Sequence, residues 1–154
     1  MAVYLMIGTL GAIIYEDFRF RAIHWYWLAL FGLTAYFYSV AATSEVLTNF
    51  SFIFLQIAGL TTYFSIKNKR LINIVDAQIG LGDLLFFIPL CLLFKPILFL
   101  AFFVISLTVS LIGFLMLQKF WLKNLETIPL AGCMSIFLII FLLAEFILPN
   151  SFPF

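Results

Sequence analysis

Charge is scarce in this chain: 10% of its 154 residues are charged, against about 25% in an ordinary soluble domain. Lys and Arg number eight, Asp and Glu seven, and there is one His. Cysteine is nearly absent as well. Cys91 and Cys133 have no CxxC spacing and no His cluster beside them, so a zinc site is not expected. Both read as small buried hydrophobes. No basic segment precedes the first apolar stretch and no small-x-small site follows it, so it lacks the marks of a secretory leader. Asp17, Arg19 and Arg21 follow directly, and the stretch reads as a retained helix. No internal repeat or low-complexity tract stands out.

What fills the chain is apolar. Hydrophobic residues make up 66%, aromatics 19%, with 21 Phe and a mean hydropathy of +1.22. This composition excludes an ordinary soluble domain and points to a polytopic membrane protein. A helical span needs about 20 mostly apolar residues. Runs at roughly 1–15, 24–42, 50–66, 79–94, 96–117 and 128–148 supply six candidates at about that length. A transmembrane barrel needs alternation, and the unbroken Ile97–Ile105 run does not alternate. The expected fold class is an all-α integral membrane protein. It is a six-helix transmembrane bundle in which residues 1–154 form one membrane-embedded domain.

The placement of the few charges sets an orientation. Arg19 and Arg21 fall in the first connection, Lys67, Lys69 and Arg70 in the third, and Lys119 and Lys123 in the fifth. The second connection has no basic residue and the fourth has Lys95 alone. The positive-inside rule puts the odd connections in the cytoplasm and both termini outside. Trp25, Trp27 and Trp121 then lie near cytoplasmic ends, where aromatic belts form.

Between runs, Thr43-Ser44-Glu45 opens a short polar connection that Asn49 closes. Residues 71–79 mix apolar and polar positions and read as an irregular or re-entrant segment before helix four. Such backbone needs protein or water around it at membrane depth, and Gly80 and Gly82 suit a break or close approach there. Pro96 and Pro129 stand where helices five and six should open, since the first helical position needs no intrahelical N–H bond.

Against this background a carboxylate behind two glycines, Gly80-Leu81-Gly82-Asp83, is conspicuous. An ionisable group at a membrane helix is a functional-site hypothesis. Asp17, at the end of the first apolar run, is placed by the topology at the same depth. Two carboxylates a few ångströms apart share one proton. The charged member can then act as base on water while the protonated member polarises a carbonyl, with no metal or cofactor. Simpler roles compete: Asp17 as an interfacial anion neutralised by Arg19 or Arg21, and Asp83 as a helix N-cap. Among the other acids, Glu45 and Glu126 read as solvated, Asp76 as a cap or a partner for Lys69, and Glu145 as paired, snorkelling or set in a cavity. His24 reads as an interfacial residue.

The pattern resembles the type IV prepilin peptidase family, the GxGD membrane aspartic proteases. Asp17-Phe18-Arg19-Phe20-Arg21-Ala22-Ile23 keeps the Asp, both Arg and the Ile of the family stretch D-x-R-x-R-x-I-P-N, with His24-Trp25 in place of Pro-Asn. Gly80-Leu81-Gly82-Asp83 matches GxGD-x-K, with Leu85 at the Lys position. Ile128-Pro129-Leu130-Ala131 resembles the segment opening the family's last helix. The resemblance is to the short form, without the domain that N-methylates the new terminus.

It implies catalytic Asp17 and Asp83, site-shaping or substrate-binding Gly80, Gly82, Arg19 and Arg21, and neither metal nor cofactor. The expected partners are a prepilin-like membrane substrate and the lipid bilayer, with no nucleic acid. The expected location is the prokaryotic cytoplasmic membrane. Two other classes stay open: a non-catalytic assembly factor related to the peptidase, and a small proton or ion transporter subunit using Asp83 as a relay. The latter needs polar residues on a route outward from Asp83, whereas the fourth run offers apolar residues, Pro89 and Cys91.

Overall fold

The computed structural model describes residues 2–39, 41–69, 80–120 and 129–147. Among the described residues there are six α-helices and no strand: α1 (Ala2–Phe20), α2 (Trp25–Tyr38), α3 (Thr43–Asn68), α4 (Leu81–Leu93), α5 (Pro96–Phe120) and α6 (Leu130–Ile147). The irregular segment expected at 71–79 lies outside the described residues, as do Asp76, Trp121 and Glu126.

Two of the six helices are long and apolar enough to cross a bilayer, α3 and the Pro96–Met116 part of α5. α2 and α4, with 14 and 13 residues, reach about 20 Å at 1.5 Å per residue. A hydrocarbon core is about 30 Å thick. The observed architecture is therefore a six-helix bundle with two clear spans, a narrower statement than six spans.

Prolines set two of the boundaries. α5 starts on Pro96, only Phe94 and Lys95 separating it from the end of α4, and α6 starts directly after Pro129. The polar connection expected at 43–49 is instead the start of α3. Glu45 accepts the Ala42 N–H at 2.8 Å, and the Thr48 and Ser51 hydroxyls donate to the carbonyls four residues back. The Glu45 bond caps the N-terminus of α3, and the two hydroxyls bond the helix's own carbonyls without breaking it.

The helices run alternately up and down. One end gathers the close of α1 and the starts of α2, α4 and α6. The other gathers the ends of α2, α4 and α6 with the start of α3. There Tyr38 donates to Glu145 Oε2 at 2.7 Å, joining α2 to α6. Asn49, 1% exposed, donates to the carbonyls of Cys91 at 3.0 Å and Phe94 at 2.7 Å. Ser39 donates to the Leu92 carbonyl. A helix leaves its last carbonyls without intrahelical partners, and α4 has its own satisfied by side chains from α2 and α3.

Phenylalanine supplies much of the packing between these ends. Phe31 of α2 stacks on Phe86 of α4 at 5.3 Å. Phe94 stacks on Phe102 of α5 at 5.0 Å and meets Phe141 of α6 edge-on at 5.3 Å. Phe87 and Phe103 join α4 to α5 at 5.2 Å. α1 packs chiefly against α6 and α2, while α3 touches only α4 and α5 among its more extensive partners. Leu47, Phe54, Leu55, Leu60, Tyr63 and Ile66 of α3 consequently face outward.

Candidate functional site

The site is assembled where α1 ends. Arg21 closes that helix with a left-handed backbone, φ 54°, its N–H donating to the Asp17 carbonyl at 3.2 Å. The short extended link that follows brings His24 and Trp27 back against α1. Glu16 accepts three hydrogen bonds there: from the His24 backbone N–H at 2.9 Å, with the His24 ring Nδ1 at 2.8 Å, and from Trp27 Nε1 at 3.1 Å. Consecutive helical residues point about 100° apart, because a turn holds 3.6 residues. With Glu16 committed to α2, Asp17 is aimed at α6.

The opening turn of α6 presents backbone N–H groups that have no intrahelical partner. The Gly132 N–H donates to Asp17 Oδ2 at 2.6 Å, and the Ala131 N–H donates to Asp83 Oδ1 at 2.9 Å. Helix N-termini favour negative charge, so two carboxylates from α1 and α4 converge on one turn. Neighbouring Cα atoms are only about 3.8 Å apart. The Asp17 charge is accordingly felt at Asp83, and the Arg21 charge at Asp17. Asp17 is 6% exposed and Asp83 half-buried.

Asp83 is held from its own side as well. It occupies the first turn of α4, and the backbone N–H of the N-cap residue Gly80 also hydrogen-bonds its carboxylate. Gly80 is exposed and extended, φ −61° and ψ 141°. Gly82 differs: it is already helical and packs against Ile23, whose Cδ1 would lie 3.4 Å from a Cβ there. The break before helix four thus reaches Gly80 and stops short of Gly82.

The two arginines divide. Arg19 donates to the Tyr15 hydroxyl at 2.9 Å and lies over the Tyr15 and Phe20 rings, away from the aspartates. Arg21 is the cation whose charge reaches Asp17. His24 is exposed yet bound to Glu16, and its backbone caps α2. Leu85 is exposed on α4, on the outward side with Leu81 and Ile88. Cys91 is buried, and Cys133 is half-buried against the Ser110 hydroxyl, one residue beyond Gly132.

Three structural contributors escape the sequence reading, two at this site and Asn49 at the opposite end of the bundle. Glu16 stands beside Asp17, but no spacing rule pairs it with donors eight and eleven residues on. Asn49 looks like a loop residue until α4 is set beside it. The Ala131 and Gly132 amides did have a signal: Pro129 marks a helix start, and free N–H groups follow a helix start. No group of three or more His, Cys, Asp or Glu among the described residues is arranged to hold a metal ion.

Chemically, the fold defines an all-helical protein with a pair of acids gathered at one helix terminus. Comparison with protein-family models, curated proteins and solved structures finds no match.

Proposed function

We propose that the chain is a six-span membrane aspartic endopeptidase of the prokaryotic cytoplasmic membrane. It removes the short basic leader of prepilin-like proteins at the cytoplasmic face. The observation that carries this reading is the convergence of Asp17 and Asp83 on successive amides of α6. Two acids so placed share a proton. One draws a proton from water as the water attacks the scissile carbonyl, and the other hydrogen-bonds the carbonyl oxygen as charge develops there. The motif resemblance at Asp17–Ile23, Gly80–Asp83 and Ile128–Ala131 supplies the substrate class.

The membrane setting is supported by the two long apolar helices and by large outward-facing side chains such as Phe37, Phe54 and Ile97. Soluble monomers rarely expose apolar surface on that scale. A peptide bond must leave its helix before it can be cut, and an extended substrate needs a backbone edge to pair with. Gly80, extended and exposed beside Asp83, offers that edge; helical Gly82 does not.

The test is cleavage by purified protein of a panel of prepilin-like peptides, with and without chelator. Chelator-insensitive cleavage is expected, lost in both Asp17→Asn and Asp83→Asn while each variant stays folded in the membrane. Normal cleavage by either variant would sink the assignment.

A further inference from the structure

Gly132 is the tightest glycine among those described. A Cβ built on it would sit 2.9 Å from Phe18 Cε2, 3.0 Å from Phe18 Cδ2 and 3.0 Å from Asp17 Oδ2. Real side-chain carbons essentially never approach other atoms that closely, so any other residue here forces Phe18, Asp17 or the helix to move. The same residue's N–H makes the 2.6 Å bond to Asp17. Gly113 of α5, by contrast, has nothing within 4 Å of a built Cβ.

We propose that Gly132 is a positioning residue for the reaction, acting through Asp17. Its bare α-carbon lets the Asp17 carboxylate close onto the α6 amide, which fixes Oδ2 and leaves Oδ1 as the oxygen turned to chemistry. Ala131 holds Asp83 Oδ1 in the same way, one amide earlier. The first turn of α6 thereby sets the spacing of the two acids, although it contributes no side chain to either. A role limited to housing the Phe18 ring makes a different prediction, because that ring and the carboxylate crowd the same carbon from separate atoms.

This inference rests on the peptidase reading, and the experiment separates the two. Gly132→Ala is compared with Gly113→Ala and with the double variant Gly132→Ala/Phe18→Ala. Misplacement of a catalytic group by about 1 Å costs roughly 100-fold. Gly132→Ala is therefore expected to lose kcat on that scale with KM little changed, and to displace the pH–rate profile. Gly113→Ala is expected to behave as wild type. Phe18→Ala in the Gly132→Ala background removes the ring clash but not the carboxylate clash. It is expected to restore thermal stability without restoring kcat. Recovery of kcat in the double variant, or a wild-type kcat and pH profile in Gly132→Ala, overturns the proposal.

A readout free of substrate covers the case in which wild-type protein cleaves nothing. Infrared titration of the protonated carboxyl band, assigned with Asp17→Asn, should shift in Gly132→Ala and stay unmoved in Gly113→Ala. An unshifted band overturns the positioning role; a shifted band with no cleavage by wild type leaves positioning standing and removes the peptidase reading.

Discussion

The Gly132 amide donates to Asp17 Oδ2 at 2.6 Å across 115 positions of sequence. With Ala131 and Asp83 alongside, it makes one helical turn the common reference for acids from two other helices. Movement of α6 is thus coupled to the spacing of the pair, and substitutions far from Asp17 in sequence become tests of the site.

The pair should impose a two-sided pH dependence. On the proposed peptidase reading, cleavage needs one proton between Asp17 and Asp83. Acid protonates both and removes the base; alkali ionises both and removes the acid. A bell-shaped rate profile on a peptide substrate is expected. A profile flat across both limbs would rule out shared-proton chemistry.

Glu16 should matter for stability more than its position suggests. Its carboxylate is the acceptor for His24 and Trp27, and hydrogen bonds to a charged group are worth about 1.5–3 kcal/mol each. Glu16→Ala is expected to lower the thermal midpoint in detergent by more than Trp27→Phe, which removes one bond of the three. Equal midpoints for Glu16→Ala and wild type would show that the α1–α2 corner holds without it.

Asn49 offers a donor-specific test. Its Nδ2 serves the Cys91 and Phe94 carbonyls, while its Oδ1 has no partner among the described residues. Asn49→Leu leaves those carbonyls without their donor, at about 1–3 kcal/mol. Asn49→Asp keeps the shape but sets an acceptor against acceptors and should cost more. The reverse order in thermal melts would contradict the capping role.

Tyr38 and Glu145 should be energetically coupled. A double-mutant cycle with Tyr38→Phe and Glu145→Gln is expected to return about 1–3 kcal/mol of interaction. Additive effects would show that the 2.7 Å contact does little to hold α2 to α6.

Much of the fold was legible in local chemistry. Long apolar runs require helices, because a helix satisfies its backbone within the segment, and Pro96 and Pro129 open helices where a missing N–H is harmless. The start of α3 reads as a loop in sequence because Thr43, Glu45, Thr48 and Asn49 are polar, yet it is helical. Polarity alone does not mark a loop: Glu45, Thr48 and Asn49 each bond a backbone group, and Thr43 and Thr48 stay exposed on the helix.

By itself, then, the sequence determined an all-helical, strongly apolar chain whose acidic residues at helix ends, Asp17 and Asp83, are its most informative. Only the tertiary structure decided what those acids touch. Helix rotation and the approach of α6 are set by packing between elements distant in sequence. So are the assignment of Glu16 to α2, the separation of Arg19 from Arg21, and the need for a bare carbon at Gly132. Hydrogen-bond geometry of that kind depends on distances of a few tenths of an ångström, which no spacing along the chain encodes.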